Sequence, residues 1–222
     1  MSERTTSRLG ALAAILSFIL SIFGFALHGG LPSAANADSV RRYVEGANPN
    51  QTGVGNYVEL LGIVLFLVFA TYLYSVARAT NPDRLNWFAV AGLSGAVVYV
   101  ALNAVAIASQ QVMVEWAKAG ADATTVLGIS LLTDNTFTLG FELAALFLAG
   151  TGLAFLSAGR QLRVIGLSSI IMAAVVFLSG LIGIISLGNQ PISGVGILLF
   201  NVWMLIAGIY LLIRPPMPTR VA

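Results

Sequence analysis

Hydrophobic residues fall into six long runs separated by short polar stretches, at about 9–28, 57–77, 85–108, 134–157, 163–187 and 194–213. Each run approaches or exceeds the roughly 20 residues that a helix needs to cross a bilayer. All seven prolines (Pro32, Pro49, Pro82, Pro191, Pro215, Pro216 and Pro218) lie between or after these runs. Continuous helices in lipid require this, because proline removes a backbone donor that lipid cannot replace. The connections RATNPDR (78–84) and SAGRQLR (157–163) read as tight turns between antiparallel helices. The pattern predicts an all-α polytopic membrane protein. It forms a single bundle of six transmembrane helices over residues 1–222, with no second domain.

The longest connection, GGLPSAANADSVRRYVEGANPNQTGVGNY, contains a seventh, short helix in SAANADSVRRYVEG. Ser33 is placed to cap its start and Gly46 to end it. Val40, Tyr43 and Val44 share one side. Either that side lies along the membrane surface, or the segment is a solvated connector. The connection around VMVEWAKAGADATTVLG extends its flanking helices beyond the bilayer.

Charge orients the bundle. Six spans put both termini on one side, together with Arg4, Arg8, Arg78, Arg84, Arg160, Arg163, Arg214 and Arg220. Only Arg41, Arg42 and Lys118 lie opposite, so eight of the 11 basic residues share the side of the termini. The positive-inside rule then places both termini in the cytoplasm of a cell membrane. The first run, preceded by MSERTTSR and followed by Ala35-Asn36-Ala37, also has the outline of a cleaved signal peptide. Retention is the stronger reading: Gly10, Ala14, Ser17, Ser21, Gly24 and His28 form a continuous small or polar face, as a packed helix requires.

Composition removes several function classes. Charged residues make up 9% of the chain, against about 25% in soluble domains. With no cysteine and one histidine, thiolate chemistry and a multi-histidine metal or haem site are out of reach. No cofactor is expected, and no basic stripe with interleaved aromatics supports nucleic-acid binding. Hydrolase, metalloprotease and phosphate-loop motifs are absent.

What remains is a set of polar residues at membrane depth, where they are expensive and usually face the protein interior. Glu142 lies about 12 Å below Asp134, and Asn201 about 10 Å below the start of its span, at 1.5 Å per residue. Asn103 and Tyr99 share a face of the third span with Gly92, Ala96, Ala106 and Gln110. His28 closes the first span and Glu59 begins the second. Glu142 shares a face with Ala145, Ala149 and Gly152, and small residues permit close helix approach. Glu142 is therefore expected to point toward Asn103 and Asn201, with burial far from Lys or Arg favouring the neutral acid. Two readings stand. Glu142 is either glue between helices or part of an outward pocket that binds a ligand or a proton. His28 is either an interfacial histidine or a member of that pocket, and Glu59 is close enough to the surface to be merely hydrated.

The layout resembles a bacterial six-span integral membrane family catalogued as domain of unknown function 4386. The likeness rests on AANADSVRRYVEGAN in the first long connection, NYVELLGIVLF opening the second span, and SAGRQLRVIG at a hairpin. It covers most of the chain, implies a six-helix bundle, and carries over no catalytic residue. The leading expectation is a non-enzymatic protein of the lipid bilayer. It would bind a small molecule, lipid or partner protein through a pocket built on Glu142, Asn103 and Asn201, with Glu59, His28 and Tyr99 nearby. The alternatives are a proton-coupled transporter using Glu142, and a membrane-embedded enzyme using a Glu142–His28 pair.

Overall fold

The computed structural model describes residues 3–29, 37–80, 86–156, 158, 160–185 and 190–216, without the side chains of 3, 4 and 190–193. Among the described residues there are seven helices and no strand. They are α1 (Glu3–His28), α2 (Ala37–Gly46), α3 (Pro49–Thr80), α4 (Trp87–Lys118), α5 (Ala123–Leu156), α6 (Arg160–Ile185) and α7 (Gln190–Ile213). All but α2 are long and apolar enough to cross a membrane. Their outward surfaces carry large apolar side chains such as Ile171, Phe177 and Ile206, as contact with lipid requires. The chain is a multi-pass membrane protein.

Helices that follow one another pack side by side: α1 on α3, then α3 on α4, α4 on α5, α5 on α6 and α6 on α7. α1 also packs on α7, which closes the ring. Direction alternates around it, so the start of α1 at Glu3 and the end of α7 at Ile213 lie at one end, and the opposite end is the distal end. The expected small face of α1 is in use. Gly10 sits against the Tyr72 ring, and Ser17 donates to the Gly62 carbonyl at 2.7 Å. Toward the termini, the centre is filled by Phe66, Tyr99, Phe147, Phe200 and Trp203 from four helices. Their rings meet mostly edge to face, with Phe66 and Phe147 5.0 Å apart.

Three helices exceed their hydrophobic runs at the distal end. α3 starts at Pro49, α4 runs on to Lys118 and α5 starts at Ala123. With 32 to 34 residues they measure about 50 Å, well beyond a hydrocarbon core of about 30 Å. Local capping supports the extra turns. Asn48 Oδ1 accepts from the Asn50 and Gln51 amides, and Pro49 takes the first helical position, where a missing donor costs nothing. Asp122 Oδ1 accepts from the Thr124 and Thr125 amides, and the Thr125 hydroxyl bonds its other oxygen. These bonds, led by the hydroxyl, hold the Asp122 carboxyl below its ordinary range. Pro191, also expected between spans, likewise lies in the first turn of its helix, α7.

The short helix forms, but its apolar side does not face a membrane. Val40 and Val44 are buried with Met113 and Val126 on the distal projections of α4 and α5. Those projections, expected around VMVEWAKAGADATTVLG, offer a protein surface on which the short helix rests. Gly46 is the last residue of α2, whereas the expected cap Ser33 lies outside the described residues.

Candidate functional site

The site begins with two glycines. A Cβ on Gly24 of α1 would fall 2.7 Å from the Glu59 backbone nitrogen, and one on Gly55 of α3 would fall 2.9 Å from the His28 nitrogen. Only glycine lets these two backbones approach so closely. The approach sets His28 beside Glu59, with Nε2 2.7 Å from Oε2. At the other ring nitrogen, Nδ1 lies 2.5 Å from the Gly29 carbonyl, at the turn where Gly29 adopts φ +77°.

A carbonyl only accepts, so Nδ1 carries a hydrogen and donates to Gly29. The contact between Nε2 and Oε2 must then hold a second proton, on the nitrogen or on the oxygen. In either placement the pair has one shared proton and no net charge. The His28 and Glu59 side chains are only 3% and 14% exposed, so that proton is largely shielded from water. Gln110 of α4 lies against Nδ1 at 3.2 Å and donates to the Tyr43 hydroxyl at 2.7 Å. Tyr43 donates in turn to the His28 carbonyl at 3.3 Å, which ties α2 to the end of α1. Burial holds the Tyr43 phenol above its ordinary range, so it remains a neutral hydroxyl.

This cluster forms one wall of a cavity of about 340 Å³ in the distal half of the bundle. α1, α3, α4, α5 and α7 all line it. Its surface is mainly apolar, from residues such as Ile22, Phe25, Phe137 and Ile197. Its polar groups are His28, Glu59, Gln110, Thr133, Asp134 and Asn201, with Ser21 at the edge. No Lys or Arg is among the described lining residues. Small-molecule sites commonly have this character, with volumes of roughly 300 to 1,000 Å³.

Of the residues singled out from the sequence, the fold brings His28, Glu59 and Asn201 to the cavity. Tyr99 belongs to the aromatic packing, 5.3 Å from Phe66 and 5.6 Å from Phe200 between ring centres. Asn103 is buried against Gly140 and donates to the Tyr99 carbonyl of its own helix at 2.9 Å. Asn201 likewise donates to its own helix, at Ile197.

The expected convergence of Glu142 on Asn103 and Asn201 does not occur. Gly140 already faces Asn103, and two residues further along α5 is a rotation of about 200°. That rotation turns Glu142 onto α6, where its Oε1 lies 2.7 Å from the place a Gly180 Cβ would occupy. Gly152, on the same face, meets Gly166 and Ile170 of α6. Nor does Glu142 pair with His28, whose ring is held by Gly29 and Glu59. The Glu142 Oε1 atom is buried and has no hydrogen-bond partner among the described residues. Glu142→Gln is therefore expected to change thermal stability by less than about 1 kcal/mol, the scale of one interhelical hydrogen bond in a membrane. A larger loss in detergent melts would show that the carboxyl holds a partner.

Gln110, Tyr43, Thr133 and Asp134 are cavity or cluster residues to which sequence reasoning assigned no role in a site. Gln110 was visible on the polar face of α4. Tyr43 sat in a segment read either as a membrane-surface helix or as a connector, and Asp134 at a span boundary. Compared with known proteins, the chain matches a family described as a domain of unknown function, DUF4386, over residues 9–214. No curated protein and no solved structure matches the chain.

Proposed function

The chain belongs to the DUF4386 family, and since that membership brings no assigned chemistry, we propose from the geometry that it is a binding protein of the cell membrane. Its distal cavity receives a small molecule with an apolar body and a polar end. The observation that carries this reading is the cavity itself: about 340 Å³, apolar on most sides, with the His28–Glu59 cluster at one wall. Eight of the 11 basic residues accompany the termini, so the termini are cytoplasmic and the cavity lies in the outer half of the membrane. A proton-coupled role, if the site has one, belongs to His28 and Glu59 rather than Glu142, because they line the cavity.

Ile197→Trp tests the reading by filling the cavity from α7. Thermal stability is measured in lipid nanodiscs against a panel of small amphipathic molecules. Wild type is expected to be stabilised by some of them, and the variant by none of the same set. Equal responses across the panel would remove the cavity as the binding site. Orientation is checked separately. The chain lacks cysteine, so single cysteines report without background. Labelling at Ser2, Asn48, Thr80, Lys118, Gly159 and Thr219 is expected to read in, out, in, out, in, in. Cytoplasmic labelling at Asn48 or Lys118 would overturn the proposed topology.

A further inference from the structure

The cavity wall combines an acid–base pair, a second carboxyl and aromatic rings, with no basic residue other than His28. We infer that the cavity takes a cation carried on an apolar body, and that the cation enters in exchange for the proton shared by His28 and Glu59. The inference rests on the reading of the cavity as a binding site, and adds the charge of the ligand and what its binding displaces.

Charge comes first. With its proton the His28–Glu59 pair is neutral, and Asp134 adds a carboxyl from α5. An anion would meet two carboxyl groups here, and no Lys or Arg among the described lining residues to receive it. A cation would meet two carboxyl groups and the faces or edges of Phe25 and Phe137, and aromatic faces attract cations.

The shared proton works against such a guest in both of its placements. On Nε2 it makes an imidazolium, which repels a second positive charge in the same cavity. On Oε2 it removes the carboxylate that the guest would pair with. Once the proton leaves, His28 keeps its Nδ1 hydrogen on the Gly29 carbonyl and presents a lone pair at Nε2. Glu59 is then an ionised carboxylate. The guest cation replaces the lost charge, the Nε2–H or Oε2–H bond breaks with its electron pair staying on the nitrogen or oxygen, and the proton is taken up by water or buffer.

The groups facing the pair leave it in control of this exchange. Tyr43 of α2 is a neutral hydroxyl, and α4 contributes Gln110 together with Tyr99, which lies within reach of the Glu59 charge. Asp134 faces the cavity from α5, and Asn201 of α7 does not ionise. Linkage then makes the coupling reciprocal: if a cation expels one proton, acid must weaken the cation by about tenfold per pH unit once the pair is fully protonated.

The test uses the full chain in nanodiscs and benzyltrimethylammonium, a permanent cation, titrated calorimetrically in phosphate and in Tris buffer at pH 7. Comparison probes are its uncharged isostere neopentylbenzene and the anion benzenesulfonate. The expected result is binding of the cation, well ahead of the other two, with buffer-dependent heat equivalent to about one proton released. Affinity should fall about tenfold per pH unit on acidification. Glu59→Gln should abolish the proton release and weaken the cation at least tenfold. Should that variant fail to fold, Asp134→Asn should weaken the cation while retaining the release. Binding of the uncharged isostere as tightly as the cation would overturn the inference and leave the cavity reading standing. Cation binding with no buffer-dependent heat would overturn the exchange. If none of the three probes binds, and the Ile197→Trp comparison shows no difference, both readings fall together.

Discussion

His28→Ala is expected to destabilise the protein by roughly 3 kcal/mol, the lower end of the cost of removing one partner from a buried pair. Three groups lose their partner at once. Glu59 keeps 14% exposure, too little to hydrate a carboxylate fully. The Gly29 carbonyl loses its donor at the turn, and Gln110 loses the ring it rests against. Glu59→Ala should cost about as much, because it leaves Nε2 facing an apolar void. The double replacement His28→Leu with Glu59→Leu behaves differently. Buried ion pairs replaced by apolar residues of similar size are often neutral or more stable, since no charge then needs to be desolvated. The double variant should therefore melt near wild type while the single variants melt well below it. Thermal denaturation in one detergent, at one pH, is sufficient. Single variants within about 1 kcal/mol of wild type would mean that the two side chains are not coupled.

The spans were legible because lipid leaves few choices. An unbroken apolar run without proline must be a helix, and the six runs lie along α1 and α3 to α7. The lengths of those helices were legible in part: VMVEWAKAGADATTVLG pointed to the extension of α4 and α5, whereas the start of α3 at Pro49 was not anticipated. Hydropathy reports where a helix is oily, whereas α3, α4 and α5 continue for two or three polar turns under the control of caps such as Asn48 and Asp122. The projections they form decided the fate of α2. Its apolar side was correctly read from Val40 and Val44, but its partner, Met113 and Val126, exists only once α4 and α5 stand above the bilayer.

The site was legible in its ingredients and not in its arrangement. The polar residues singled out came from five spans, and three of them, His28, Glu59 and Asn201, reach the cavity. Glu142 drew attention as the most conspicuous acid at membrane depth. A stripe of small residues says that some helix approaches closely, without saying which one. The stripe on α5 serves α6, and it carries Glu142 with it. The decisive pair was written in plainer signs: Gly24 and His28 on α1, Gly55 and Glu59 on α3, each pair four residues apart on one face. Four-residue spacing puts the glycine contact one helical turn from the ion pair.

The same logic of close approach predicts the other large effect, at Gly150. This residue lies where α4 and α5 cross, and an added Cβ would sit 2.5 Å from the Gly92 nitrogen and 2.6 Å from the Phe88 carbonyl. Both neighbours are backbone, so no rotamer change can relieve the clash and the two helices must part. Gly95, whose added Cβ would lie 2.8 Å from the Leu143 carbonyl, shows that the closeness persists along the crossing. Overpacking costs about 1 to 3 kcal/mol where side chains can adjust and occasionally more where they cannot, so Gly150→Ala should lose about 3 kcal/mol. Two further alanines on the same bundle calibrate it. Gly128, also in α5, has nothing within 4 Å of its added Cβ, so Gly128→Ala should be neutral or stabilise by about 0.5 kcal/mol through helix propensity. Gly180→Ala meets the Glu142 Oε1 at 2.7 Å, the far end of a flexible side chain, and should fall between the two. The site provides a second readout. α5 supplies Thr133, Asp134 and Phe137 to the cavity, so separating it from α4 should abolish ligand stabilisation in Gly150→Ala and preserve it in Gly128→Ala. If both variants melt alike and respond alike to ligand, the α4–α5 contact is looser than the backbone distances imply, and the cavity is not held in shape by it.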